Sequence, residues 1–136
     1  FVDYNDCFEW FRMLVEEYEI LPLQVGYDRY TAQYLVQDLN AYGFNTDDVY
    51  QGYNLTSVIW EFEGMIKDGS LLYPVNDLFK IHLYDVALDS DTRNNRVKIT
   101  KLNKDAHIDG VAAVLDALTV RQKYYAEIGV RLQNKR

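Results

Sequence analysis

The sequence holds one cysteine, two histidines and two prolines in 136 residues. Cys7 is alone, which excludes an intrachain disulfide and fits a reducing compartment. It falls on the apolar face of the first amphipathic stretch and reads as a buried, inert thiol rather than a nucleophile. His82 and His107 add too few soft ligands for a structural zinc site. No apolar run reaches the length of a membrane span. No charged-then-apolar leader opens the chain, which starts at Phe1 rather than Met, and the expectation is a piece cut from a longer polypeptide. A Gly-rich phosphate loop, a GxSxG elbow, HExxH and CxxC are all absent. Basic charge is also short, with 14 Lys and Arg against 21 Asp and Glu and a net charge of -7. That balance argues against a free-standing nucleic-acid binder, which needs a basic footprint. It leaves room for an enzyme that meets nucleic acid through bound cations, because the cations invert the local field.

What the chain does have is a hydrophobic content of 49%, enough for one compact domain spanning residues 1–136. Its twelve tyrosines and two tryptophans mostly fall at helical or strand spacing and read as core or half-buried surface. Cys7, Phe8, Phe11, Leu14, Val15 and Tyr18 repeat at three and four, which predicts a first helix capped by Asp3 or Asn5. After Pro22, residues 23–27 read as a strand with Asp28 at its carboxyl end. A second helix from about Tyr30 would turn Tyr34, Leu35, Leu39 and Tyr42 inward and stop at Gly43. Residues 49–51 form a short second strand. Asn54 would cap a third helix with Leu55, Val58, Ile59, Phe62, Met65 and Ile66 inward, closed by Gly69. Residues 71–73 are an edge strand or an extended link.

Asn76 would cap a fourth helix bearing Leu78, Phe79, Leu83 and Val86, with His82 as a half-buried packing residue. Residues 89–95 read as a turn, and residues 96–102 alternate as a half-exposed strand does. The last helix would run from Asp109 to about Leu132, with the basic tail from Arg131 to Arg136 at its negative end. This order points to an α/β layer fold. In such sheets functional groups collect outside the carboxyl ends of the strands, so Asp28 and Asp109 could share one edge. Asp109 alone has a plainer role as a helix cap.

In order along the chain, Val2-Asp3-Tyr4, Val25-Gly26-Tyr27-Asp28-Arg29-Tyr30, Gln51-Gly52, the segment Pro-Val-Asn-Asp-Leu around Asn76, and His107-Ile108-Asp109-Gly110-Val111-Ala112-Ala113 form a set. This set resembles the carboxyl-terminal nuclease domain of tailed-bacteriophage terminase large subunits. The resemblance implies an RNase H-like mixed sheet flanked by helices and a metal-dependent endonuclease centre of three carboxylates. Asp28 and Asp109 would be two of them, acting as catalytic metal ligands for two Mg²⁺ or Mn²⁺ ions. The third lies in that family on the first strand, upstream of Val2, and this chain would be a truncated domain. Its expected activity is cutting concatemeric viral DNA in the intact protein and almost none alone.

The partners implied are double-stranded DNA, the portal protein, the small terminase subunit and the ATPase domain of the same full-length chain. The implied setting is the host cell cytoplasm, with no membrane. Arg29, Lys98 and Lys104 are possible DNA contacts, or ordinary surface cations. Asp85 stands where many relatives carry Asn and reads as a solvated polar residue, with a local ligand as the alternative. His107 reads as a loop histidine, with a place beside Asp109 as the other option. A rival reading is a non-catalytic docking domain for the portal or small subunit, with both acids as plain caps. A third is a non-catalytic RNase H-like remnant.

Overall fold

The computed structural model describes residues 3–30, 33–73 and 76–134. Val2, Pro74 and Val75 of the terminase-like set, and Lys135 and Arg136 of the basic tail, lie outside the described residues, as do the side chains of Arg131 and Leu132.

Helix α1 (Tyr4–Glu16) starts where expected, with the Asp3 carboxylate accepting the Asn5 N–H at 2.9 Å. Its Phe8, Phe11 and Val15 pack on a small cluster of Val25, Leu39 and Phe44. Strand β1 (Val25–Asp28) leads to α2 (Gln33–Tyr42). The α2 face is set by Val36 and Leu39, and Tyr34 is 81% exposed instead of inward. At 3.6 residues per turn Tyr34 sits about 140° around the helix from Leu39, too far to share its face. Gly43 ends α2 with φ of 119°, a backbone angle that disfavours other residues.

Strand β2 (Thr46–Val49) lies earlier than the expected 49–51 and runs parallel to β1, with Gly26 opposite Asp47 and Asp28 opposite Val49. Its start is polar, which hid it. Asp47 is only partly exposed because Lys123 Nζ at 2.7 Å and Tyr124 Oη at 2.9 Å bond its carboxylate. A 3₁₀ turn (Tyr53–Leu55) then feeds α3 (Thr56–Lys67). Asn54 does not cap α3. Its side chain bonds the Gly52 N–H and the Tyr50 carbonyl of the preceding loop. Val58, Ile59 and Phe62 are buried, whereas Ile66 is 48% exposed. Residues 71–73 form no strand.

Asn76 does cap α4 (Asp77–Asp85), accepting the Phe79 N–H at 3.0 Å. Leu78, expected inward, is exposed. The chain then turns directly into β3 (Val86–Asp91), antiparallel to β4 (Arg96–Lys101). Val86 is expected on the fourth helix and residues 89–91 in the turn 89–95. They form a strand because the tight turn, with Asn95 at φ 53° and Asp91 bonded to Asn94 and Arg96, pairs them with the alternating β4. β1–β2 and β3–β4 are separate two-stranded ladders among the described residues, not one mixed sheet.

Helix α5 (Asp109–Lys123) begins as expected but ends early, and α6 (Tyr125–Asn134) follows a break at Tyr124. No glycine or proline announces that break. The Tyr124 hydroxyl is tied to Asp47 at that point. Val111, Leu115 and Leu118 of α5 close the main core with Val49, Leu55, Val58, Ile59, Phe62 and Val97. The architecture is therefore α/β, with helices around two small ladders.

α5 lies on the parallel pair so closely that a Cβ on Gly26 would stand 2.5 Å from the Asp116 carbonyl oxygen. No side chain fits there without moving backbone. Gly26→Ala is expected to lower unfolding free energy by about 1–3 kcal/mol, the usual cost of overpacking, in urea titrations. An unchanged midpoint would contradict that packing.

Candidate functional site

Three contacts fix the direction of α5 over the strands. Asp47 in β2 bonds Lys123 and Tyr124 at the helix's far end. Gly26, opposite Asp47, lies under Asp116 and Val120. Gln51, just past β2, bonds the Ala112 carbonyl at 3.3 Å and the Asp116 carboxylate. α5 thus runs antiparallel to β1 and β2, and the carboxyl ends of both strands point toward its N-terminus, where Asp109 stands.

Asp28 is the last residue of β1 and is exposed. Alternation puts its side chain on the same face of the strand as Gly26, the face toward α5. One oxygen of Asp28 accepts the Tyr30 N–H at 3.0 Å, which shapes the turn after β1. Asp109 is the first residue of α5 and also exposed. The expectation that it caps this helix is corrected. Ile108 occupies the cap position, no side chain caps from there, and the Gly110 N–H is taken by His82 Nδ1 at 2.8 Å. His82 is therefore a specific hydrogen-bonding partner, not only packing.

Sequence reasoning missed a third acid, buried in the middle of α5. Asp116 lies seven residues after Asp109, two helical turns on and so on the same face. It is 6% exposed. Burial pushes its carboxyl up, the bond from Gln51 pulls it back, and the negative charge of Asp28 adds to the rise, leaving it at about 6. Gln51 Oε1 is also buried, with no partner among the described residues. The signal was available: Asp116 is the one charged residue in an otherwise small and aliphatic run from 110 to 120.

The candidate DNA contacts are partly occupied within the chain. Arg29 pairs with Asp48 at 2.9 Å and lies over the Tyr50 ring. Lys98 sits 3.7 Å from Asp89 and over the Tyr53 ring. Lys104 is exposed in the loop that leads to α5. Asp85 is not merely solvated, because its Oδ2 accepts the His107 N–H at 3.0 Å. Asp28 ends β1 and Asp109 begins α5, which runs antiparallel to that strand. Among the described residues, however, no group of three or more His, Cys, Asp or Glu side chains is gathered so as to hold a metal ion.

This arrangement of elements is similar to the crystal structure of the HK97 bacteriophage large terminase, with a TM-score of 0.71 and 16% identity. The chain has the fold of part of a phage large terminase. The likeness covers 86% of this chain and 24% of that one, so the chain spans about a quarter of the terminase's length. No family model and no curated protein matches. No helix among the described residues is long and apolar enough to cross a membrane.

Within this terminase-like fold, the buried Asp116 has a testable cost. Its folded-state proton affinity exceeds the ordinary 3.8 and reaches about 6. The folded chain therefore takes up a proton between those values, and stability is highest below the lower one and falls as pH rises through the upper one. Asp116→Asn cannot ionise and escapes that loss. It is expected to exceed the wild type by on the order of 1–2 kcal/mol near pH 7, the shift discounted for solvent screening, with the gain gone below about pH 4. Urea unfolding across that range checks it, and a difference independent of pH would contradict the assignment.

Proposed function

We propose that this chain is part of the nuclease centre of a terminase large subunit, an RNase H-like domain that cuts viral DNA with divalent metal ions. What supports the reading is Asp28 at the carboxyl end of a parallel strand and Asp109 at the start of the helix that runs antiparallel to it, in a fold similar to part of a large terminase. Neither carboxylate is consumed as a helix cap. Both are exposed, and oxygen donors of this kind suit Mg²⁺ or Mn²⁺. Bound there, a pair of such ions would activate water and stabilise the leaving oxygen of a phosphodiester.

Two carboxylates are an incomplete set for two ions, and the reading includes a third from a strand outside this chain. A free edge suits it. β1 is paired on one side only among the described residues. A groove of about 360 Å³ runs beside it between α1 and α5, lined by Trp10, Phe11, Leu14, Val25, Ala117 and Val120. A parallel pair is seldom stable with so little cover, and another strand would complete it. Of the candidate phosphate contacts, Lys104 is the most open, while Arg29 and Lys98 would have to share their acidic partners with DNA. The portal protein, the small subunit and an ATPase domain of the same polypeptide remain the partners this reading implies, in the host cytoplasm.

One observation favours a second reading, a docking domain. Leu78, Ile81 and Tyr84 lie along the outer face of α4 and are 63%, 52% and 80% exposed. Patches of this kind mark interaction surfaces. The two readings part on the acids. Calorimetric titration of the chain with MnCl₂ is expected to show weak binding that Asp28→Asn and Asp109→Asn each reduce by about tenfold or more, the scale of losing a charged ligand. Plasmid nicking by this chain alone is expected to be nearly nil. Binding or packaging function untouched by the double substitution would favour docking, and vigorous nicking by the chain alone would overturn the incomplete centre.

A further inference from the structure

The hydrogen-bond phase of the β3–β4 ladder is fixed at its end. The Leu102 N–H bonds the Asp85 carbonyl at 2.8 Å, so the next pair, Val86 and Lys101, stands opposed without exchanging main-chain bonds. Alternation then turns the N–H and C=O groups of Val86, Leu88 and Ser90 away from β4, and those of Val97 and Ile99 away from β3. The far side of β4 is covered at Val97. Thr56 Oγ1 accepts the Val97 N–H at 3.0 Å and lies 3.1 Å from the Val97 carbonyl oxygen. The outer side of β3 has no such cover. Among the described residues no strand pairs with it, and no hydrogen bond takes the outward groups of Val86, Leu88 or Ser90. The side chains beside that edge also leave a gap. Leu88 and Ile99 stand opposite each other, and with Ile59, Phe62, Ile66 and Leu83 they line an apolar pocket of about 150 Å³. Leu88 and Ile66 are 43% and 48% exposed, which puts the pocket's mouth beside the free edge. A dry cavity of that size holds one benzene-sized group.

We propose that the outer edge of β3 takes an extended strand of a partner protein, which bonds the free main-chain groups of Val86 and Leu88, seats one phenylalanine or leucine in the pocket, and carries Lys or Arg beside Asp89. A row of unpaired main-chain donors and acceptors selects an extended polypeptide over a helix, a lipid or a nucleic acid, none of which offers a matching row. Asp89 is exposed, and its contacts with Tyr53 Oη at 3.3 Å and Lys98 Nζ at 3.7 Å are long. A cation on the neighbouring strand therefore gains there and an acid loses. The same charge argues against a second copy of this chain. Two β3 edges laid together would gather Asp85, Asp89 and Asp91 of both chains along one seam, each chain carrying a net charge of -7.

NMR titration of this chain with a capped heptapeptide, Lys-Val-Lys-Phe-Lys-Val-Lys, tests the proposal. Shifts are expected at residues 86–90 and around the pocket, with slower amide exchange at Val86, Leu88 and Ser90. Replacing the peptide's phenylalanine by alanine should weaken binding by about tenfold or more, the effect of one apolar side chain left unburied. N-Methylating alternate peptide residues should abolish binding in one phase and spare it in the other, because only every second N–H of a strand faces its neighbour. On the protein, Ser90→Pro removes an outward N–H without breaking the β4 ladder, and Ile66→Glu sets a charge at the pocket's mouth. Each is expected to weaken the peptide by about tenfold or more, and either decides should the other misfold. Absence of shifts at about 1 mM peptide, equal binding of the alanine peptide, or N-methylation tolerated in both phases would overturn the proposal. So would shifts at residues 86–90 that grow with protein concentration alone, which would make a second copy the occupant.

Discussion

Where β1 crosses α5, no side chain separates the two backbones. Gly26 lies against the Asp116 carbonyl, and that approach brings the helix down onto the parallel pair. Everything at the carboxyl edge depends on it. Gln51 reaches Ala112 and Asp116 only because the helix is this close, and the Asp47 bonds to Lys123 and Tyr124 fix the other end. With both ends held, the N-terminus of α5 and the last residue of β1 open onto the same side of the molecule.

A second constraint comes from α4. The turn before α5 makes no side-chain cap of its own, so an exposed acid there would ordinarily wander with a fraying helix end. His82 and Asp85 hold it instead. The buried Asp116 is the counterweight: a carboxylate kept in the interior beside another acid disfavours the folded chain at neutral pH. Strained or costly groups of this kind collect at functional sites. Here the cost falls two turns further along the helical face of Asp109, and against Asp28.

The parts legible in the sequence were those with a local cause. Asp3 and Asn76 cap their helices, Gly43 ends α2, and α5 starts at Asp109, because each is decided by a residue and its near neighbours. β2 and β3 are obscured by polar residues: Asp47 is covered by Lys123 and Tyr124 far along the chain, and residues 89–91 are paired with β4 across a tight turn. The end of α5 at Tyr124 has no local mark at all. In the site, Asp28 and Asp109 stand out as acids at element boundaries, the last residue of β1 and the first of α5. The Gln51–Asp116 pair and the two acceptors on α4 were not legible, since contacts 65, 28 and 22 residues apart in sequence leave no periodic trace. Asp116 was the exception, visible as a lone charge two turns after Asp109.

The central claim is that Asp28 and Asp109 together face a divalent cation. Anomalous diffraction from a crystal of this chain soaked in MnCl₂ addresses it directly. The account predicts a manganese peak bridging the two carboxylates at the carboxyl edge of β1, weak because the donor set is incomplete. Manganese bound elsewhere, with that edge holding only water and the two carboxylates turned apart, would contradict it.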